Sequence, residues 1–365
     1  MRLIEISTQA FRNLSSDPVF FGAGVTLITG ENAQGKTNLL EAVALVCGQR
    51  SFRRVRPFEI ATDADRFAVS GRFRRGSEDE ALRVTWSRAE GRAFSRGEKS
   101  ISFRDVARLA PAVFLAPEQR EILVGAPAIR RRFVDRLALL SRPAAGEDLV
   151  RFERALAERN ALLLRAQRTR AADGEAEAWT EELVRAGAAV RRHRVAALAQ
   201  WRARFEPLAA EAGPEYADVR IDYRSNGETE DDLRAECARV AAVERRRGHS
   251  LAGPHRDDVL FTRRGRPLAA QASAGELHRT VALVKLAEWH AVREATGEPP
   301  LLGVDEFDAG LSPAWAESFL RSLPEGGTVL LTSAADPARW RRFVGGVLEM
   351  RAGRVVDRPR AVNEA

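Results

Sequence analysis

Two rhythms of apolar and polar residues divide the chain. Alternation, the mark of a strand with one buried face, runs through residues 3–8, 67–73, 82–87 and 219–223. Largely apolar runs at 24–29, 112–116, 300–304 and 329–331 read instead as buried strands, and 347–350 as a late strand near the C-terminus. Turn signals at Arg75-Gly76-Ser77 and at Gly91 and Gly97 make the region after residue 66 a small antiparallel sheet. Helical spacing follows the first buried run, over 38–46.

From residue 127 to 213 the texture changes to Ala, Leu, Arg and Glu with few β-branched residues. Two long helical patterns, 149–167 and 175–212, flank Thr169-Arg170-Ala171-Ala172-Asp173-Gly174 and predict an antiparallel helix hairpin. Leu183, Val184, Val190, Val195, Leu198, Trp201, Phe205 and Leu208 carry its apolar side. Further on, Thr229 caps a helix with an acidic first turn that ends at Arg245-Arg246-Arg247-Gly248. The pattern therefore predicts an α/β head in two parts, 1–126 and 214–365, with a helical arm, 127–213, inserted between them.

Chemistry enters between the run at 24–29 and the helix at 38–46. Gly30-Glu31-Asn32-Ala33-Gln34-Gly35-Lys36-Thr37 reads G-x-x-x-x-G-K-T, a phosphate-binding loop set between a strand and a helix. Glycines permit the tight turn and close approach, backbone N–H groups and the helix dipole face the anion, Lys36 supplies a point charge, and Thr37 offers a hydroxyl to Mg²⁺. Asn38 follows on the helix. A triphosphate nucleotide, ATP, with Mg²⁺ is the expected cofactor. Asp305-Glu306 ends the run at 300–304; beside a phosphate loop, Asp305 holds the metal and Glu306 activates water. Thr332 and Ser333 end another strand and are candidate γ-phosphate sensors. Ser273, Gly275 and Glu276 open a helix as a capping box and equally as a second anion site. If the run at 112–116 lies beside the loop strand, Gln119 sits at the ligand-binding edge, where it would bind Mg²⁺ or orient water.

Composition narrows the class. The net charge is +7 and the positive charge is nearly all arginine, which favours a polyanionic partner such as nucleic acid. Residues 51–58, Arg130-Arg131-Arg132 and Arg191-Arg192-His193-Arg194 are each either a solvated charge run or a phosphate contact. The string Gly253-Pro254-His255-Arg256-Asp257-Asp258 is either a salt-bridged turn or a chemical site. Cys47 and Cys237 lack metal spacing and are expected to be buried thiols. There is no apolar run long enough for a transmembrane helix and no signal-peptide pattern at the N-terminus, so a cytoplasmic protein without a membrane partner is expected.

The order of phosphate loop, Ser-x-Gly-Glu helix start and Asp-Glu strand resembles the ABC-type ATPases, whose heads are of the SMC-like kind. Roughly 240 residues separate loop from signature here, which argues against a transporter subunit. More finely, the chain resembles the RecF family of bacterial recombination mediators over essentially its whole length. The resemblance rests on Phe11-Arg12-Asn13, the loop through Asn38, Pro117-Glu118, Pro127 with Arg131-Arg132-Phe133-Val134-Asp135, Arg159-Asn160, the Gly253 to Asp258 string, and Ser273-x-Gly with Arg279-Thr280. It implies a slow ATPase that dimerises on ATP, with Ser273 and Gly275 reaching the γ-phosphate of the opposite protomer. It also implies a grip on double-stranded DNA and single/double-strand junctions near gaps, and help in loading RecA through RecO and RecR. An ATPase unrelated to DNA and a non-hydrolysing DNA scaffold remain as alternatives. The chain departs from the family at Gln119, Glu276 and Glu306, and at Asp308-Ala309-Gly310-Leu311-Ser312, where relatives carry Ser-Glu-Leu-Asp.

Overall fold

Helix Lys36–Val46 is apolar around almost its whole circumference because it is covered on almost every side. In the computed structural model, which describes residues 1–53, 55–62, 65–166, 173–309 and 312–357, it lies between two sheets. Leu39, Leu40 and Val43 share one core with Leu3, Ile6 and Phe73 of one sheet and Leu301, Leu330 and Leu348 of the other.

Both sheets belong to a unit made of Met1–Gln119 and Val292–Ala365. The first is antiparallel, in the order Val19–Phe20, Arg2–Gln9, Arg66–Arg75, Glu78–Ser87, Gly91–Arg96, Lys99–Ile101. The alternating stretches at 3–8, 67–73 and 82–87 all fall in it. The second is mainly parallel, in the order Arg354–Asp357, Gly346–Arg351, Gly24–Thr29, Thr328–Thr332, Leu301–Val304, Ala112–Leu115. Its inner strands are buried on both faces, which is why they read as apolar runs rather than alternations. Ala112–Leu115 is not beside the loop strand; Thr328–Thr332 and Leu301–Val304 stand between them. Long crossovers set that order, and no local pattern encodes it.

The second unit is Arg120–Ala291. It holds the whole 127–213 segment and also residues 214–291. Helices Pro143–Ala166 and Asp173–Ala212 pack along each other. His193 meets Asp148 and Arg159 meets Thr180, so partners descend on one helix as they ascend on the other: the pair is antiparallel. The expected connection over 169–172 lies outside the described residues. Strands Val219–Arg224 and Asp258–Arg263 pair antiparallel, with Arg266–Pro267 beside the latter. Thr229 caps helix Glu230–Arg247 through a reciprocal box with Asp232, and Gly248 ends it in the left-handed conformation. Cys47 and Cys237 are both buried, and burial pushes the Cys237 thiol pKa up to about 11.

Candidate nucleotide site

The loop is shaped by what touches it. Gly30 has φ +136°, and a Cβ there would sit 2.4 Å from the carbonyl oxygen of Met350 on the adjacent strand. Gly35, at φ +108°, starts helix Lys36–Val46 from the left-handed region, which favours glycine. Lys36 Nζ donates to the carbonyls of Gly30 (2.7 Å) and Glu31 (2.8 Å), closing the loop on its own lysine. Burial lowers the Lys36 pKa, while the charges of Asp305, Glu306 and Asp308 pull it upward.

Support comes from segments far away in sequence. Gln34 accepts from Gly353 N through its carbonyl (2.9 Å) and from Ala352 N through Oε1 (2.6 Å). Asn13 Nδ2 donates to Ala33 O at 3.3 Å, and Asn38 Nδ2 donates to Asn13 Oδ1 at 2.6 Å. Arg53 Nη1 donates to Asn38 Oδ1 at 2.7 Å. Glu41, fully buried in the apolar helix, is matched by Arg12 through Nε (2.6 Å) and Nη2 (3.2 Å), with Ser51 donating to the same carboxylate. Removing one partner of such a buried pair is costly, because it strands the other charge. Periodicity does not reveal Arg12, Asn13 or Arg53 as loop supports; the first two leave a trace only in the Phe-Arg-Asn string, and Arg53 only in the basic stretch 51–58.

Across the parallel sheet, Thr37 Oγ1 donates to Asp305 Oδ1 at 3.0 Å. Thr332 Oγ1 donates to the same oxygen at 2.6 Å. Asp305 is buried, and burial lifts its pKa; the two hydroxyl bonds oppose that lift and the Glu306 charge adds to it. Glu306 follows, exposed, with φ +49°. Asp305 N donates to Leu115 O at 2.8 Å, so the strand that leads into Pro117–Arg120, and thus to Gln119, abuts the Asp305 turn. Ser333 is buried and its hydroxyl donates to Asp308 Oδ2 (2.7 Å), which also accepts from Trp340 Nε1 (3.0 Å). The Ser333 hydroxyl is thus engaged with a carboxylate. Gly310 and Leu311 of the altered segment lie outside the described residues.

Ser273, Gly275 and Glu276 are in the second unit. The capping box is formed: Ser273 N donates to Glu276 Oε2 (2.8 Å) and Glu276 N to Ser273 Oγ (3.2 Å). Arg263 Nη1 donates to Glu276 Oε1 at 2.8 Å. The Ser273 amide, then Arg263, hold the Glu276 carboxyl down at about 2. A Cβ on Gly275 would meet nothing within 4 Å, so that face of the helix start is open.

Most of the two arginine runs is structural. Arg191, fully buried, donates to both Asp257 oxygens (2.9 and 2.8 Å) and to Glu236 (3.0 Å). Arg194 takes Asp135 by two bonds (2.6 and 3.0 Å) and Pro254 O at 2.7 Å. Arg130 takes Asp258 by two bonds (2.8 and 2.9 Å), and Arg131 donates to Asp257 O at 2.8 Å. Tyr223 OH donates to Asp257 Oδ2 at 2.5 Å. The Gly-Pro-His-Arg-Asp-Asp string is therefore the salt-bridged junction of this unit, and of the two runs only Arg132 and Arg192 are exposed.

Comparison with known proteins matches an AAA domain family over residues 5–122. The chain is 33% identical to the DNA replication and repair protein RecF of Anaeromyxobacter sp. (strain K), over 89% of this chain and 90% of that one. It is 31% identical to the protein of the same name from Myxococcus xanthus, over 96% and 98%. A solved structure of the recombination mediator protein RecF-ATP in the RecFOR pathway superposes with a TM-score of 0.90 at 25% identity, covering 98% of each chain. An Smc head domain from Pyrococcus furiosus shares the fold alone, at 16% identity and TM-score 0.54 over 96% of this chain and 94% of that one.

Proposed function

The chain belongs to the RecF family, and on that premise we propose that it is an ATP-dependent clamp on duplex DNA that acts in recombinational repair. The observation that carries the nucleotide half of this reading is the 3.0 Å bond between Thr37 and Asp305, residues 268 apart in sequence, which joins the phosphate loop to the Asp-Glu turn.

The residues fit magnesium. Among the described residues no group of three His, Cys, Asp or Glu is arranged to hold a metal ion alone. A magnesium ion carried by phosphates needs only one or two protein oxygens. Thr37 Oγ1 and Asp305 Oδ1 supply a hydroxyl and a carboxylate oxygen side by side, with Gln119 as a further candidate at the neighbouring strand end. A magnesium ion held there would supply positive charge to offset that of the triphosphate. Lys36, with the amides of Gly30 to Asn38, binds and orients the triphosphate. Glu306, exposed beside Asp305, accepts the proton of the attacking water.

Residues 127–213 form the arm of this design, and Ser273 and Gly275 present a hydroxyl and an open helix start to the γ-phosphate of a second protomer. ATP then acts as a switch: it favours the closed homodimer through differential affinity, and slow hydrolysis releases it. The excess of basic charge suits duplex DNA and single/double-strand junctions. The family's place in the RecFOR pathway supports RecR and RecO as partners and RecA as the indirect beneficiary. A cytoplasmic setting follows from the DNA-repair role proposed here; among the described residues no helix is long and apolar enough to cross a membrane.

The test is duplex-DNA binding by the purified protein with and without ATP–Mg²⁺ at two salt concentrations, with molecular mass measured alongside. Tighter, salt-sensitive binding by an ATP-dependent dimer is expected. ATPase activity in a protein that ignores DNA under every condition would overturn the clamp reading and leave an ATPase of another role.

A further inference from the structure

We propose that Thr332 is a positioning residue for hydrolysis: its one hydroxyl holds the metal-ligand carboxylate Asp305 and the base Glu306 in fixed relation to each other. The inference rests on the roles given above to Asp305 and Glu306 and goes beyond them by naming what sets their geometry.

Thr332 ends the strand that stands between the loop strand and the Asp305 strand, and it is fully buried. Its Oγ1 donates to Asp305 Oδ1 at 2.6 Å and accepts from Glu306 N at 2.8 Å. Its carbonyl accepts from Phe307 N at 3.1 Å. A hydroxyl has one proton to give and two lone pairs to receive; here the proton goes to one active carboxylate and a lone pair to the amide of the other. The Thr332 side chain thus engages two functional residues of a turn outside its own strand.

The amide bond to Glu306 bears on a strained peptide. Glu306 has φ +49°, a region that L residues seldom enter unless their surroundings enforce it. Thr332 fixes the N–H side of that residue. The next hydroxyl, Ser333, secures Asp308. Consecutive side chains of one strand end therefore clasp the whole Asp305-to-Asp308 turn. Thr37 donates to the same Asp305 oxygen as Thr332, so the carboxylate is fixed from the loop helix on one side and from the intervening strand on the other.

Valine keeps the branched shape of threonine and loses the hydroxyl; serine keeps the hydroxyl and loses the methyl. Full-length T332V and T332S are compared with wild type for binding of a fluorescent ATP analogue with and without Mg²⁺, for steady-state hydrolysis, and for thermal unfolding. T332V is expected to bind nucleotide without metal within about twofold of wild type and to lose most of the gain that Mg²⁺ brings. Its kcat is expected to fall about 10- to 100-fold with little change in KM. T332S is expected to stay within about threefold of wild type throughout. A T332V protein with wild-type metal gain and kcat overturns the proposal. So does a T332S protein as impaired as T332V, because then shape rather than the hydroxyl matters. Failure of the underlying nucleotide-site reading is seen separately, in wild type itself, as binding that Mg²⁺ does not strengthen.

Discussion

Arg191 and Arg192 are neighbours in one basic run and do opposite things. Arg191 is fully buried among Asp257 and Glu236, whereas Arg192 faces solvent. Arg191→Met should cost about 3–5 kcal/mol by leaving two carboxylates without their partner. Arg192→Ala should stay within about 0.5 kcal/mol. Urea unfolding of the two variants measures both. Glu306→Gln belongs to the same scale. The substitution keeps size and removes the proposed base, so on the switch mechanism it should hold the ATP-bound dimer and stop turnover. A Glu306→Gln protein that remains monomeric with ATP would sink the switch mechanism, and one that hydrolyses at the wild-type rate would remove Glu306 from the chemistry. At this scale the phosphate loop and the Asp-Glu pair are legible in sequence because their chemistry sits in adjacent residues. The fate of each arginine is not, because the carboxylates that claim Arg191 lie 45 and 66 residues away.

Among elements, helix Lys36–Val46 shows what burial between two sheets demands. Leu40→Ala should cost about 2–5 kcal/mol, since neither sheet can collapse freely onto the space; thermal unfolding measures it. Helix Ala274–Thr296 carries a pH signature at its start. Glu276 is held at about 2 against an ordinary 4.5, first by the Ser273 amide and then by Arg263. A lowered acid pKa means the ionised form is the one the folded state favours. Its contribution is complete above 4.5 and is lost as pH falls from there toward 2. The protection factors of the Ser273 and Glu276 amides, their exchange rates taken relative to the intrinsic rate at each pH, should therefore fall over that window, and Glu276→Gln should flatten the dependence. Caps such as these are readable in sequence, since a box needs residues only three apart. The order of strands in the parallel sheet is not, and the placement of Ala112–Leu115 at its far edge shows why: apolar runs are alike wherever in the sheet they lie.

For the whole molecule, nucleotide and stability are linked. If Lys36 anchors the triphosphate, ATP–Mg²⁺ at about 100 times its Kd should stabilise the folded protein by about 2.7 kcal/mol. Lys36→Ala should abolish that shift in thermal unfolding while leaving the protein folded without ligand. The chain by itself determined the strand–loop–helix with its G-x-x-x-x-G-K-T sequence, the helical texture of 127–213, the capped helices and the carboxylate pair at a strand end. Each is local, written in neighbours or in a short period, and backbone geometry turns it directly into structure. Only the tertiary structure decided that Thr37 meets Asp305, that Thr332 stands between the loop and the Asp-Glu turn, that Arg12 neutralises Glu41, and that most of the basic runs are consumed by buried carboxylates. Those contacts join side chains from elements brought together by long crossovers. Their free energy depends on burial and on a partner tens to hundreds of residues away, and no local pattern records either.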